Sequence, residues 1–231
     1  MMEDTHTCTR NVWDKTECRY CNENCIKYGW FKGNQRYRCG TCKRTFMNSY
    51  TYNACKQTTD RWITNLVKEG SGIRSIARLL EISSTTVLKR ILSIAKSIQK
   101  PAMALGKMYE VDEIRAFYKS KSRLLWVVYA LRRDTKQIAD FVVGRRTIKT
   151  LQKVIDTVLL SGAEKIFTDK LGLYNYLIPG NVHDSKRYST NHIERKNLAL
   201  RAHLKRLNRR TICFSKSITV LAACLKIYFW S

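Results

Sequence analysis

Three acidic residues carry the chemistry this chain can offer: Asp112 in "YEVDEI", Asp169 in "IFTDK" and Glu194 in "NHIERKNLAL". Glu194 is the only carboxylate between Lys186 and Lys216, a stretch with ten Lys and Arg residues. If that stretch only grips phosphates, an acid inside it is a handicap. Three carboxylates around Mg2+ or Mn2+ suit phosphodiester chemistry, because paired hard cations activate one oxygen and stabilise the other. Each acid also has a plainer reading. Asp112 can be a solvated strand end and Asp169 a turn residue. Glu194 can be part of an N-terminal helix cap that favours the helix dipole.

A second set of residues points to another metal. Cys18, Cys21, Cys39 and Cys42 form two C-x2-C knuckles 17 residues apart, the spacing of four thiolates on one structural Zn2+. Cys25, Cys55, Cys8 and His6 read as bystanders. The ribbon displays Lys32, Arg36, Arg38, Lys43 and Arg44 to DNA or to a partner.

Periodicity supplies the elements that hold these groups. Residues 108–114 alternate, which places Met108, Glu110 and Asp112 on one face and Tyr109, Val111 and Glu113 on the other. Asp112 and Glu113 are therefore expected to look into different sites. "LLWVVYALRR" and "QIADFVVGRR" read as a hairpin, "TIKTLQKVIDTVLL" as an amphipathic helix, and "EKIFTDK" as a short strand ending at Asp169. The helix from Asn191 is expected to take Asn191 as N-cap and Glu194 at N3, with Ile193, Leu200, Leu204 and Leu207 as its apolar stripe. Glu194, Arg201 and Lys205 then line its edge and face the sheet tip. Asp184 is the reserve third carboxylate. His183, His192 and His203 read as surface or capping residues.

Ahead of these elements, "SGIRSIARLLEISSTTVLKRILSIAKSI" reads as two helices with a turn at "EIS" and a cap at Ser83 or Ser84. This is a helix-turn-helix whose second helix presents Ser84, Thr85, Thr86, Lys89 and Arg90 to a major groove. Trp62, Ile63, Leu66 and Val67 on a preceding helix complete its core. The net charge of +25, from 43 Lys and Arg against 18 Asp and Glu, implies a polyanionic partner. A membrane surface is disfavoured because the cations are spread over several segments and the longest apolar runs are too short to span a bilayer. The N-terminus shows no signal peptide, so a cytoplasmic, nucleoid-associated protein is expected.

"RLLWVVYALRRDTKQIADFVVGRRT", "IFTDKLGLY" and above all "KRYSTNHIERKNLALRAHLKRLNRRTICFSKS" resemble the transposase of the bacterial insertion sequence 1 family. The cysteine ribbon agrees. The resemblance implies a multidomain chain: zinc ribbon over 1–55, all-α helix-turn-helix over 56–100, linker over 101–107, and an α/β ribonuclease H-like catalytic domain over 108–231. It implies an Asp-Asp-Glu triad of Asp112, Asp169 and Glu194 as catalytic residues and Mg2+ ligands. Arg201, with Arg195 and Lys205, would lie on terminal DNA, and at least a dimer would pair two element ends. Lys170 stands where the family commonly has Gly, and Lys196 where it often has His. The alternatives are a non-catalytic DNA-binding regulator and a structure-selective nuclease on the same fold.

Overall fold

In a computed structural model of the chain, residues 16–47, 50–186, 189–210 and 212–231 are described. His6 and Cys8 lie outside them. The chain forms two compact units, Met1–Lys56 and Gln57–Ser231.

The first unit is an antiparallel sheet of β1 (Cys25–Phe31), β2 (Asn34–Cys39) and β3 (Thr45–Met47) in sequence order. Lys32 and Gly33, both at positive φ (47° and 78°), make the two-residue turn between β1 and β2. Such a turn matches the twist of paired strands. The apolar interior is small. Tyr37 stacks on Phe46 with centroids 5.8 Å apart, and Cys18 and Cys39 are fully buried beside them. A unit of this size buries little apolar surface, and domains this small usually rely on a metal, disulfides or oligomerisation to fold.

The second unit begins with α1 (Thr59–Lys68), α2 (Ile73–Leu79) and α3 (Ser84–Ser97). Ile63, Val67, Ile76, Val87 and Ile91 fill their interior, whereas Trp62, expected in that core, is 56% exposed. Ser83 caps α3, its hydroxyl accepting from the Thr86 amide at 3.0 Å.

A mixed sheet follows: β4 (Met108–Tyr118), β5 (Ser120–Arg132) and β6 (Ile138–Gly144) form an antiparallel meander. Helix α4 (Ile148–Leu160) crosses over to β7 (Lys165–Phe167), parallel to β4, and α5 (Leu173–Leu177) leads to β8 (His183–Asp184), parallel to β7. The strand order is β6-β5-β4-β7-β8. One face buries Tyr109, Val111 and Val128 under Leu151, Val154 and Ile155 of α4. The other buries Ile114, Val127 and Tyr129 under α6 (Asn191–His203) and α7 (Ile218–Trp230).

Helix α7 is apolar on nearly every side, so it must be covered on more than one face. It packs on β6 and also on α1 and α3. The helices of residues 59–97 therefore share one compact unit with the sheet, and residues 101–107 do not separate two such units. At Gly70 (φ 69°) a Cβ would stand 2.1 Å from the His203 carbonyl oxygen, so only glycine lets this turn approach the end of α6.

Candidate active site

The carboxylates meet where the sheet loses a neighbour. β7 pairs with β4 only over Met108–Glu110. Past Phe167 the chain leaves that edge and presents Asp169, whose Oδ1 accepts from the Leu171 amide at 3.0 Å. Side chains from either face of β4 can turn toward an open edge. Carboxylate oxygens of Asp112, Glu113 and Asp169 accordingly lie within 4.8 Å of one another. Strict alternation had assigned Asp112 and Glu113 to different sites; that expectation fails because it presumes strands on both sides.

Asp112 is held on both oxygens. Oδ1 accepts from the Glu113 amide at 2.7 Å, and Oδ2 from Asn197 Nδ2 at 2.5 Å. Asn197 Oδ1 in turn accepts from the buried Tyr129 hydroxyl at 2.7 Å. Burial pushes the Asp112 carboxyl up to about 7, with the charges of Glu113 and Asp169 adding to the rise and the hydrogen bonds opposing it. Burial also raises Glu113, although Arg146 Nε lies 3.1 Å from its Oε1. Three carboxylates with a single arginine among them, running from buried Glu113 to exposed Asp169, are hard oxygen donors that fit divalent cations such as Mg2+.

Glu194 enters from α6. Asn191 is the first helical residue and Thr190 precedes it, so Glu194 stands at the fourth position, one later than expected. The Thr190 hydroxyl donates to Glu194 Oε1 at 2.9 Å and caps no backbone amide. The cap comes from the sheet: the Ile193 amide donates to Oε2 of the fully buried Glu110 at 2.8 Å. Glu110 Oε1 lies 3.3 Å from Arg133 Nε, an ion pair without hydrogen-bond alignment. This acid on β4 thus sets the register of α6 against the strand that carries Asp112. The sequence offered a signal for it: an acid on the inward face of an apolar strand needs a buried partner. Glu110→Ala should cost about 3 kcal/mol in urea unfolding, since it strands the Ile193 amide and half-frees Arg133. Glu110→Gln, which keeps an acceptor, should cost less than half of that. Equal losses would show that the cap is unimportant.

Glu194 lies outside the tight cluster, yet it lines one cavity of about 400 Å3 with Asp112, Glu113, Asn197, Arg201 and Arg209. Among the described residues Arg201 Nε is buried without a hydrogen-bond partner, and burial together with Arg209 weighs against its charge. A cation in that state is complementary to an incoming phosphate. Arg209 was not singled out from sequence. Arg195 is exposed on α6, and Lys205 lies beyond the helix in a 3-10 turn, because α6 ends at His203. Leu204 and Leu207 stay buried past that end. Asp184 is on β8, where its carboxylate accepts from the Lys186 amide at 2.9 Å, away from the cluster. Among the described residues Lys170 forms no ion pair with Asp169.

On α3, Ser84, Thr85 and Lys89 are exposed. Thr86 is hydrogen-bonded to Ser83, and Arg90 pairs with Asp60 at 3.2 Å, which ties it back to α1.

In the first unit Cys18, Cys21, Cys39 and Cys42 converge, and Cys25 is not among them. The Sγ atoms of Cys18 and Cys42, and of Cys21 and Cys39, are each 3.5 Å apart. Thiolates on a tetrahedral zinc stand roughly 3.8 Å apart, so the four fit the ion. The Cys42 amide donates to Cys39 Sγ at 3.4 Å and holds that thiol down at about 6. Chelation should remove protease resistance from residues 16–47 and leave the melting of the 57–231 unit unchanged. Resistance that survives chelation would show the small core to be sufficient.

A family model described as IS1 transposase matches residues 107–229. Insertion element IS1 protein InsB of Shigella flexneri is 42% identical over 112 residues, covering 47% of this chain and 83% of the relative. Iso-IS1n protein InsB of Shigella dysenteriae is 34% identical over 111 residues, covering 48% and 85%. Among solved structures, the chain is similar to one in the simian T-cell lymphotropic virus intasome complex, at 14% identity and a TM-score of 0.37, covering 71% of this chain and 66% of that one. It is also similar to the HTLV-2 integrase catalytic core, at 13% identity and a TM-score of 0.35, covering 55% and 86%. The strand order is a meander extended by two parallel strands beside its first strand. The family match runs from the start of β4 almost to the end of α7 and includes Glu110, Asp112, Glu113, Asp169, Asp184 and Glu194; the chain belongs to the IS1 transposase family.

Proposed function

We propose that this transposase binds the terminal inverted repeats of its own element, cleaves the strand at each end, and joins the freed 3′-OH to target DNA at the same site. One observation carries the reading: Asp112 and Asp169 sit together at an open strand edge, and Asp112 and Glu194 line one cavity with two arginines. Divalent cations held by Asp112, Asp169 and Glu194 would supply the charge that activates the attacking oxygen and stabilises the leaving one. Asn197 orients Asp112, and Arg201 and Arg209 take the phosphates. The exposed start of α3 (Ser84, Thr85 and Lys89) reads the repeat, with the zinc ribbon adding phosphate contacts, and two copies pair the ends. Among the described residues no helix is long and apolar enough to cross a membrane; a protein acting on DNA in this way would work in the cytoplasm, at the nucleoid.

The regulator reading has one observation in its favour: Glu194 is engaged by Thr190 and stands outside the cluster. Cleavage and strand transfer on DNA carrying the element's ends, with Mg2+, separate the two. Wild type should cut and join, and Asp169→Asn should bind the ends normally with activity lower by about 10³-fold. Binding without cutting by wild type, in Mg2+ and Mn2+ alike, would favour the regulator.

A further inference from the structure

A second cavity, of about 460 Å3, opens beside the first and shares Glu113, Arg201 and Arg209 with it. Its remaining walls are Arg115, Phe117, Lys121 and Trp126. Arg115 lies opposite Trp126 across β4 and β5, on the face of the sheet that Glu113 shares, past the last residues covered by α4. The indole is half-buried and fixed: Arg146 sits 4.6 Å from its centroid and is itself tied to Glu113. Phe117 closes one end, in edge contact with Phe214 at 6.1 Å. Among the described residues none of Arg115, Lys121, Arg201 and Arg209 is ion-paired.

Unpaired cations around a hollow call for an anion, and an aromatic wall within the same hollow calls for a flat apolar group. A nucleotide joins the two. Intact duplex offers only its phosphates here, because its bases are stacked inside; an unpaired nucleotide can place its base in a concave site. The volume is in the range of ligand-sized clefts. We infer that this cavity is a subsite for one unpaired nucleotide of the DNA strand next to the cut, its base against Trp126 and its phosphate among Arg115, Lys121 and Arg209. The inference rests on the transposase reading above and adds to it a requirement for local unpairing at the element end.

The test is a cycle between DNA and protein. Full-length chain is titrated with element ends in which each nucleotide flanking the scissile phosphate is abasic in turn, and cleavage of the intact end is measured in parallel. At one position the missing base should weaken wild type about tenfold, the lower range for a base stacked on an aromatic ring. The same abasic end should bind Trp126→Ala no more weakly than the intact end does, while Trp126→Phe should behave as wild type. Lys121→Gln should weaken all ends alike. Trp126→Leu, which keeps apolar bulk, replaces Trp126→Ala if the latter fails to fold. Losses that simply add, or a wild-type scan with no sensitive position, overturn the subsite. Wild type that cuts the intact end while the cycle is additive loses the subsite alone; wild type that does not bind the ends loses both readings.

Discussion

Asp112→Asn should reduce strand cleavage by about 10³-fold or more and, at pH 8, raise the melting temperature of the metal-free protein. The two effects have one cause. The carboxyl is raised from its ordinary 3.8 to about 7 by burial beside Glu113 and Asp169. Folding therefore favours its neutral form. The stability this contributes is fully present below pH 4, is lost as pH rises through 7, and stays lost above. A rise of that size corresponds to at most about 4 kcal/mol, part of which belongs to Glu113 as well. Asparagine keeps the shape and removes the charge, so the variant should gain about 5 °C over wild type at pH 8 and nothing at pH 4. Mg2+ should stabilise wild type at pH 8, far less at pH 5, and leave the variant unmoved. Thermal melting across pH with and without Mg2+ measures all of this. A variant less stable than wild type at pH 8 would show that the Asp112 charge is already compensated by protein groups.

The second large effect concerns the third ligand. Glu194→Gln should lower cleavage by about 10³-fold with melting unchanged, because the side chain is exposed and its bond to Thr190 survives as an amide acceptor. Glu113→Gln should lower cleavage only about tenfold and cost roughly 1–2 kcal/mol, because its Oε1 already belongs to Arg146. Ligands of two cations roughly 4 Å apart need not touch one another, so exclusion from the compact cluster does not disqualify Glu194. Cleavage rates and Mn2+ titrations of both variants decide. The reverse ranking would transfer the ligand to Glu113 and leave Glu194 as a helix-start residue.

Some of this was legible in local pattern. The cysteine knuckles carry their own spacing, and the four thiols meet as that spacing requires. The turn at 80–83 and the Ser83 cap follow from local chemistry, as do α4 and the short strand before Asp169. Other features depend on partners far away in the chain. Asn191 looked like the cap of α6, but the buried Glu110, 83 residues before the Ile193 amide it accepts from, takes that role. Trp62 fits an apolar stripe, yet α7 arrives from the far end of the chain and covers a different side of α1. Lys205 would follow Arg201 by one turn on an unbroken helix, but α6 stops at His203, whose carbonyl Gly70 approaches closely.

By itself the sequence determined which residues could do chemistry, the four cysteines able to hold a zinc ion, a net charge that calls for a polyanion, and the family. Those properties reside in residue type, short spacing and net charge, and need no knowledge of packing. Only the tertiary structure decided that Glu113 joins Asp112, that Glu110 and Asn197 hold α6 and Asp112 in place, and that Trp126 opens beside the carboxylates. Each of these depends on where β7 stops pairing with β4, and the end of a strand pair is set by long-range register rather than by the period of either strand.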